Sequence, residues 1–149
     1  MDLQVNYNDP LIMHIDLNSA YAMIEQQANP LYRHKPVAIA AYDTPRGMII
    51  AASYEAKRKG IALGVNVREA RLIDPNVIVL VPDPEKYFDA HRRFRQVLLN
   101  YTNEVTPKSV DEFVIDFRGS VAVQKGKSMQ EIGRQIKQDI KGSLGEYVT

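Results

Sequence analysis

Proline and glycine divide this chain of 149 residues into short segments, and these breaks limit the length of the helices and strands that it can form. The apolar runs between them fall far short of the roughly 18 residues that a membrane span needs. Some runs have the composition of strands, and others have the spacing of amphipathic helices. No single segment can bury an apolar face alone, so we expect strands and helices packed on one another, without a membrane partner.

The first unit predicted is a strand, a turn and a helix. The run LIMHIDL, residues 11–17, is β-prone and carries Asp16 near its end. Asn18 and Ser19 are candidate N-caps for the helix AYAMIEQQA that follows. Pro30 is expected to end that helix.

Residues 36–81 follow with a strand and helix pattern of their own. The β-prone runs PVAIAAY and MIIAAS flank the turn residues 43–47 and predict a small hairpin. Two short helices are predicted over 54–59 and 66–73, and the run VIVLV at 77–81 predicts a brief strand.

The rest of the chain predicts a long helix over 85–103, the longest, then a strand over 110–117. An amphipathic helix over 128–141 should stop at Gly142. Residues 147–149 begin another β-prone run. A sheet with helices on one face is the natural packing for this order of elements.

Composition excludes several classes of function. The absence of cysteine excludes disulfides, thiolate metal sites and a cysteine nucleophile, and it fits a reducing compartment, so we expect the cytoplasm. Residues 1–10 lack the charged start and apolar core of a signal peptide. The net charge of +1 does not indicate nucleic-acid binding, but residues 46–71 contain six Lys or Arg against two Glu. Such a stretch can attract phosphate locally, or it can be an ordinary solvated surface.

Three carboxylates are candidates for metal chemistry. Asp16 lies at the end of one predicted strand, and Asp111 and Glu112 open another. Adjacent strands would bring them together, and Mg²⁺ prefers oxygen ligands. Successive strand residues point to opposite faces, so both members of the pair can approach Asp16 only if the strand is irregular there. Alternatively, Asp16 caps a helix and the pair lies on a solvated strand end.

Other polar side chains are further candidates for a functional role. Tyr54 and Lys57 share a face if they are helical, which would suit a polyphosphate, but these residues alone favour an exposed helix with Tyr54 half buried. The cluster His91, Arg92, Arg93 and Arg95 is expected to be the solvated face of its helix rather than a DNA contact. His14 and His34 are isolated and are read as a core and a surface residue.

Three segments, in this order, resemble the motifs of Y-family DNA polymerases, the translesion class that includes UmuC-like and DinB-like enzymes. HIDLNSAYAMIE at 14–25 resembles the first motif, an Asp followed five residues later by an aromatic residue. RGMIIAASYEAKRKGI at 46–61 resembles the fingers motif, and SVDEFVIDF at 109–117 resembles the S-I-D-E signature. The resemblance covers residues 11–117 well and the last helix only loosely.

The resemblance implies an α+β fold, namely a polymerase palm whose antiparallel sheet has helices on one face, with a small inserted fingers domain. It divides the chain into palm at 1–28, fingers at 29–83 and palm again at 84–149. Members of the family continue with further palm elements, a thumb and a little finger. The chain is therefore expected to be a catalytic-core fragment that is inactive alone.

The resemblance also implies a site. Two Mg²⁺ ions, for which Mn²⁺ can substitute, would be held by the carboxylates of Asp16, Asp111 and Glu112 and the main-chain carbonyl of Leu17. Tyr21 takes the position of the steric gate, the ring that leaves no room for a ribose 2′-hydroxyl. Tyr54 and Lys57 take the positions that contact the triphosphate. No DNA-binding residue is assigned.

Two residues depart from the family pattern. Lys57 replaces the usual Arg, so a point charge replaces a planar fork and bidentate phosphate contact is lost. Ala20 stands where an aromatic residue commonly precedes the gate. A smaller side chain there reduces the expected tightness of sugar discrimination.

The function implied is that of a low-fidelity DNA-directed DNA polymerase for lesion bypass. Its partners would be primer-template DNA, a deoxynucleoside triphosphate and a sliding clamp reached through a C-terminal part. One alternative is another palm-type phosphoryl transferase such as a nucleotide cyclase, although the glycine-rich turn of such enzymes is missing. The other is a palm-like module that binds a nucleotide or a partner without turnover.

Overall fold

Two three-stranded sheets organise residues 10–149, the part of the chain that the structure, a computed structural model, describes. The first is antiparallel, with β1 (Ile12–Asp16), β6 (Glu112–Asp116) and β5 (Val105–Pro107) in that order. In the second, β2 (Val37–Ala40) lies between β3 (Ile49–Ala52) and β4 (Ile78–Leu80). The predicted first palm segment begins at residue 1, and its first nine residues lie outside the described ones.

Helices fill the connections between the strands. They are α1 (Ala20–Ala28), α2 (Tyr54–Arg58), α3 (Val67–Ile73), α4 (Pro84–Leu99), α5 (Val121–Gln124) and α6 (Met129–Leu144), with a 3₁₀ turn at Pro30–Tyr32. Side chains cap several of them: Asp83 accepts from the backbone amide of Lys86 at the start of α4, and Ser128 and Glu131 form a capping box on α6. These caps explain why the long helices begin where they do.

The main core lies on one face of the antiparallel sheet. Phe113 and Ile115 alternate along β6 and are fully buried, while Glu112, Val114 and Asp116 on the other face stay partly exposed. The buried side chains pack with Phe94 and its neighbours on α4 and with the Ile132, Ile136 and Ile140 stripe of α6. The predicted fold class, α+β with helices against one face of an antiparallel sheet, is confirmed.

The second sheet is covered on both faces. All four residues of β2 are buried, because this strand is central and neither face meets water. Val37 and Ile39 pack against Ala22 of α1, while Ala38 and Ala40 face the small core of the insert. The predicted hairpin is correct, since β2 and β3 pair antiparallel, and β4 joins β2 in parallel.

Several predicted boundaries are wrong. Helix α4 ends at Leu99 rather than near residue 103. The strand β5 that follows was not predicted, because it has only three residues and one of them is proline. Helix α6 passes the exposed Gly142 and ends at Leu144, so at 16 residues it equals α4 in length. Gly145, whose φ is 113°, ends it instead, because that backbone conformation favours glycine.

Two other differences concern chain segments near the site. Strand β6 begins at Glu112 rather than at Val110. The β-prone run at 147–149 forms no strand, but the carbonyl of Thr149 accepts a hydrogen bond of 2.8 Å from the amide of Asn18. Among the described residues, no helix combines the length and the apolar character that crossing a membrane requires.

Candidate active site

Asp16 and Glu112 lie opposite each other in the pairing of β1 with β6. Directly opposed residues share a face of the sheet, here the face opposite the buried Phe113 and Ile115. Partial desolvation raises the pKa of Asp16, the charges of Asp111 and Glu112 raise it further, and His14 opposes them. Negative charge is therefore concentrated at this sheet end.

Asp111 lies in the turn before β6 and is not part of the strand. Asp111 and Glu112 therefore need not point to opposite faces of the sheet, as two successive strand residues would. Its carbonyl accepts a hydrogen bond of 3.0 Å from the amide of Leu17, so the turn is held against the end of β1. Its carboxylate accepts a 2.6 Å hydrogen bond from the hydroxyl of Ser109. One oxygen of the Asp111 carboxylate is thus engaged by Ser109, while the charge of that carboxylate still acts on Asp16.

The predicted metal ligands do not form one ready ligand set. Across residues 10–149, no three His, Asp or Glu side chains are grouped so that they could hold a metal ion. Asp16 and Leu17 line a cavity of about 440 Å³ between β1 and α6, whereas Asp111 lines a different one. The donors are nonetheless all oxygen, and the repulsion that raises the pKa of Asp16 is of the kind that a hard cation relieves.

A smaller cavity brings three of the predicted site residues together. Its volume is about 250 Å³. It is lined by Ser19, Ala20, Tyr21, Ile50, Ala51, Ala52, Lys57, Leu63 and Asp111. Tyr21, Lys57 and Asp111 therefore share one space between the start of α1, β3 and α2. Tyr54, by contrast, is not among the lining residues and is 40% exposed.

Lys57 reaches across this cavity to Ser19. Its ammonium donates a hydrogen bond of 2.7 Å to the Ser19 hydroxyl. Ser19 has a left-handed backbone, with φ 48° and ψ 39°. It was a candidate N-cap for α1, but its side chain makes no capping hydrogen bond. Ser53 caps α2 by accepting from the amide of Ala56, which fixes the helix that carries Lys57.

Tyr21 rests on a buried polar cluster that sequence analysis missed. Its ring stacks on that of Tyr87, and the Tyr87 hydroxyl donates a 3.1 Å hydrogen bond to the buried Glu25. Glu25 also accepts a 2.7 Å hydrogen bond from Lys86. From its spacing, Tyr87 belongs to the apolar face of α4, with no sign of a polar partner. The available signal was on α1, where Tyr21 and Glu25 are four residues apart and therefore share the face that contacts Tyr87.

His14 is a second residue that sequence analysis misplaced. It is exposed rather than buried, and its Nε2 lies 3.9 Å from a carboxylate oxygen of Glu112. Residues two apart on a strand share a face, so its position relative to Asp16 was the available signal. Of the cluster predicted on the solvated face of α4, Arg92 and Arg93 are exposed and pair with Asp89, whereas His91 is half-buried and stacks on Phe113.

The basic stretch predicted from sequence lies on the surface. Its six cationic residues are all exposed: Arg46, Lys57, Arg58, Lys59, Arg68 and Arg71. Lys59 is engaged by Asp74 in a 2.7 Å ion pair. Of these six residues, Lys57 lines the small cavity.

Comparison with known protein families identifies the family of this chain. The sequence profile of the impB/mucB/samB family matches residues 15–149. The chain belongs to the impB/mucB/samB family. The resemblance to Y-family DNA polymerases, predicted from the three motifs, is thereby confirmed.

Relatives of this impB/mucB/samB chain include bacterial proteins named DNA polymerase IV. That of Listeria monocytogenes serotype 4b is 31% identical over 134 residues, which cover 90% of the chain and 37% of the relative. DNA polymerase IV 1 of Bacillus subtilis is 36% identical over 125 residues, covering 80% of the chain and 30% of the relative. The chain thus spans about a third of the length of these relatives.

Solved structures show the same fold. DinB from Sulfolobus solfataricus is 26% identical and superimposes with a TM-score of 0.78, over 93% of this chain and 40% of that one. A Y-family DNA polymerase chimera superimposes with a TM-score of 0.80 at 24% identity. The impB/mucB/samB chain therefore has the palm and fingers architecture that the resemblance implied.

Proposed function

We propose that this chain is the palm and fingers part of a lesion-bypass DNA polymerase that performs templated nucleotidyl transfer. The observation that carries the proposal is the 250 Å³ cavity, in which an aromatic ring, an ammonium and a carboxylate meet. Tyr21, Lys57 and Asp111 come from three distant parts of the sequence, and their chemistry suits a sugar, a phosphate and a metal-bound reaction centre. A nucleotide cyclase does not account for the fingers motif that supplies Lys57.

The nucleotide would lie along this cavity, with its sugar against Tyr21. A fixed ring under the sugar excludes a 2′-hydroxyl, and Ala20 beside it leaves more space than an aromatic residue would. Lys57 would leave the Ser19 hydroxyl and contact the triphosphate as a point charge. Tyr54, exposed at the start of α2, would reach the same phosphates from outside the cavity.

The carboxylates of Asp16, Asp111 and Glu112 and the main-chain carbonyl of Leu17 would hold two Mg²⁺ ions, or Mn²⁺ in their place. When bound, these ions would supply an activated primer 3′-hydroxyl and charge neutralisation for the triphosphate. The protein's part is to orient its oxygens. For Asp111 that means releasing the oxygen that now accepts from Ser109, a change within one turn of chain.

Primer-template DNA would lie against the exposed cationic residues between Arg46 and Arg71. The two separate sheets support a division into palm at 1–28 and 84–149 and fingers at 29–83. We place the protein in the cytoplasm, where a cysteine-free DNA enzyme would work. A sliding clamp would be contacted through a part of the polymerase beyond the palm and fingers.

Primer extension tests the proposal. The polymerase that contains this chain should extend a primer in Mg²⁺, and Asp111→Ala should abolish extension because a metal-holding oxygen is lost. Glu85→Gln, an exposed carboxylate at the start of α4, is the matched control and should extend normally. The 149-residue chain alone should bind DNA weakly, lose that binding as salt rises, and not extend the primer.

Two results would contradict the proposal. Normal extension by Asp111→Ala would show that the reaction does not use this site. Nucleotide binding that depends on Lys57, with no extension by the larger protein, would favour the binding module without turnover. Extension by the 149-residue chain itself, absent in its Asp111→Ala variant, would overturn the expectation that the chain is inactive alone.

A further inference from the structure

The peptide unit that joins Val110 to Asp111 is held at both of its polar ends. The Val110 carbonyl oxygen lies 2.8 Å from Nδ1 of His91, which is 19 residues earlier in the chain. The amide of Asp111 donates a 3.3 Å hydrogen bond to the hydroxyl of Ser109. Because a peptide unit is planar, partners on its oxygen and its hydrogen together fix the orientation of the plane from which Asp111 projects.

The sheet does not supply this restraint. Pairing between β5 and β6 ends at Phe113, and pairing between β1 and β6 ends at Glu112. The Val110 carbonyl therefore lies beyond both ladders. Among the hydrogen bonds of the described residues, the one that this oxygen accepts comes from His91. Without it, the plane could rotate, since turns lack the cooperative hydrogen bonds of a ladder.

The His91 ring is itself well fixed. It stacks on Phe113, with ring centroids 4.9 Å apart and planes inclined by 21°. Phe113 is fully buried and meets Phe94 edge to face. A carbonyl can only accept, so Nδ1 of His91 carries the proton in this hydrogen bond. A donor on a packed ring from a long helix is a rigid support for the turn.

We propose that His91 is a positioning residue for Asp111: through the Val110 carbonyl it sets the direction in which the Asp111 carboxylate is presented to a metal ion. The inference rests on the proposed function, in which Asp111 holds a metal ion. Groups that orient metal ligands from behind commonly change metal affinity by about 10- to 100-fold when removed. His91 would not touch the ion or the substrate, so its proposed effect on Asp111 passes through the backbone of the turn.

Three substitutions separate the hydrogen bond from the ring packing. His91→Asn keeps an N–H donor near the position of Nδ1 but loses the stacked ring. His91→Leu has nearly the same shape as the Asn variant and has no donor. His91→Phe keeps a ring on Phe113 and also has no donor. Asp111→Asn serves as the reference for loss of the ligand itself.

The measurement is Mn²⁺ affinity of the 149-residue chain, obtained by titration with free Mn²⁺ followed by electron paramagnetic resonance. Thermal unfolding of each variant is recorded alongside. We expect His91→Leu and His91→Phe to weaken Mn²⁺ binding about tenfold and His91→Asn to retain affinity close to that of the parent chain. Unfolding temperatures should follow a different order, with Phe close to the parent and Asn and Leu both lower.

Affinities that follow the unfolding temperatures would overturn the inference and leave His91 as a packing residue. If Asp111→Asn weakens binding but the Leu and Phe variants do not, the positioning role alone fails. If Asp111→Asn leaves Mn²⁺ binding unchanged, the metal role in the proposed function fails, and the inference that depends on it fails as well. Should the Leu variant not fold, the comparison of Phe with Asn still decides between donor and ring.

Discussion

The ring of Tyr21 lies stacked on the ring of Tyr87, with centroids 4.4 Å apart and planes inclined by 15°. Tyr87 cannot move away, because it is 4% exposed and its hydroxyl donates to Glu25. Burial, followed by the charge of Glu25, raises the pKa of Tyr87 far above its usual value, so the phenol keeps its proton and remains a donor. The proposed steric gate thus rests on a rigid support.

Tyr21→Ala should increase ribonucleotide incorporation far more than it lowers deoxynucleotide incorporation. The ring would otherwise occupy the space that a 2′-hydroxyl needs. Single-nucleotide incorporation kinetics with matched deoxy and ribo triphosphates, using the polymerase that contains this chain, measures the ratio. Tyr42→Ala, an exposed ring on the insert, is the control and should leave the ratio unchanged. Equal losses for both sugars with Tyr21→Ala would make Tyr21 a packing residue only.

Glu25→Ala should destabilise the fold by about 2–3 kcal/mol. The buried Tyr87 hydroxyl would lose its acceptor and Lys86 its closest anion, and neither is fully compensated by water. Urea denaturation of the 149-residue chain measures the change. Glu85→Ala, an exposed acid in the first turn of α4, should cost less than about 1 kcal/mol. A similar small cost for both would show that the Glu25 cluster does not stabilise the protein.

Gly142 and Gly145 should respond in opposite directions to alanine. Gly142 is exposed within α6 with open space around it, so Gly142→Ala should stabilise the chain by about 0.5–1 kcal/mol. Gly145 has φ 113°, and an added Cβ would collide with the Gln27 side chain, so Gly145→Ala should cost about 1–3 kcal/mol. Thermal unfolding compares the two. A neutral Gly145→Ala would mean that α6 does not end at this position.

The ion pair between Asp74 and Lys59 should make stability depend on acid pH. The 2.7 Å hydrogen bond from Lys59, and then that from the Asn76 amide, lower the pKa of Asp74. A group whose folded pKa is depressed stabilises the fold above its unfolded pKa, about 3.9 for Asp, and loses that contribution as pH falls through the lower folded value.

Asp74→Asn should therefore lower the unfolding temperature most near neutral pH, and the difference from the parent chain should shrink below about pH 4. Unfolding followed by circular dichroism from pH 7 to pH 2 provides the measurement. Asp43→Asn, an exposed acid in the hairpin turn, should change the unfolding temperature little throughout. A constant difference for Asp74→Asn across this range would show that the ion pair is not the cause.

The sequence by itself determined the family, the fold class and the order of the longer elements, although not the short β5 and α5. Three motifs with specific spacing identified the family, and apolar periodicity located most helices and strands, because burial of one face is encoded locally. Exact ends were less predictable: α6 runs through Gly142, since the Ile132, Ile136 and Ile140 stripe buried against the sheet outweighs the small penalty of one exposed glycine.

Only the tertiary structure decided how the site residues are arranged. Asp111 lies outside β6 because the turn is held by Leu17, Ser109 and His91, which are close in space and mostly distant in sequence. The meeting of Tyr21 with Lys57, and of Tyr21 with Tyr87, likewise depends on how α1 packs against α4 and the insert. Such contacts are set by the packing of whole elements, which no local pattern of residue types specifies.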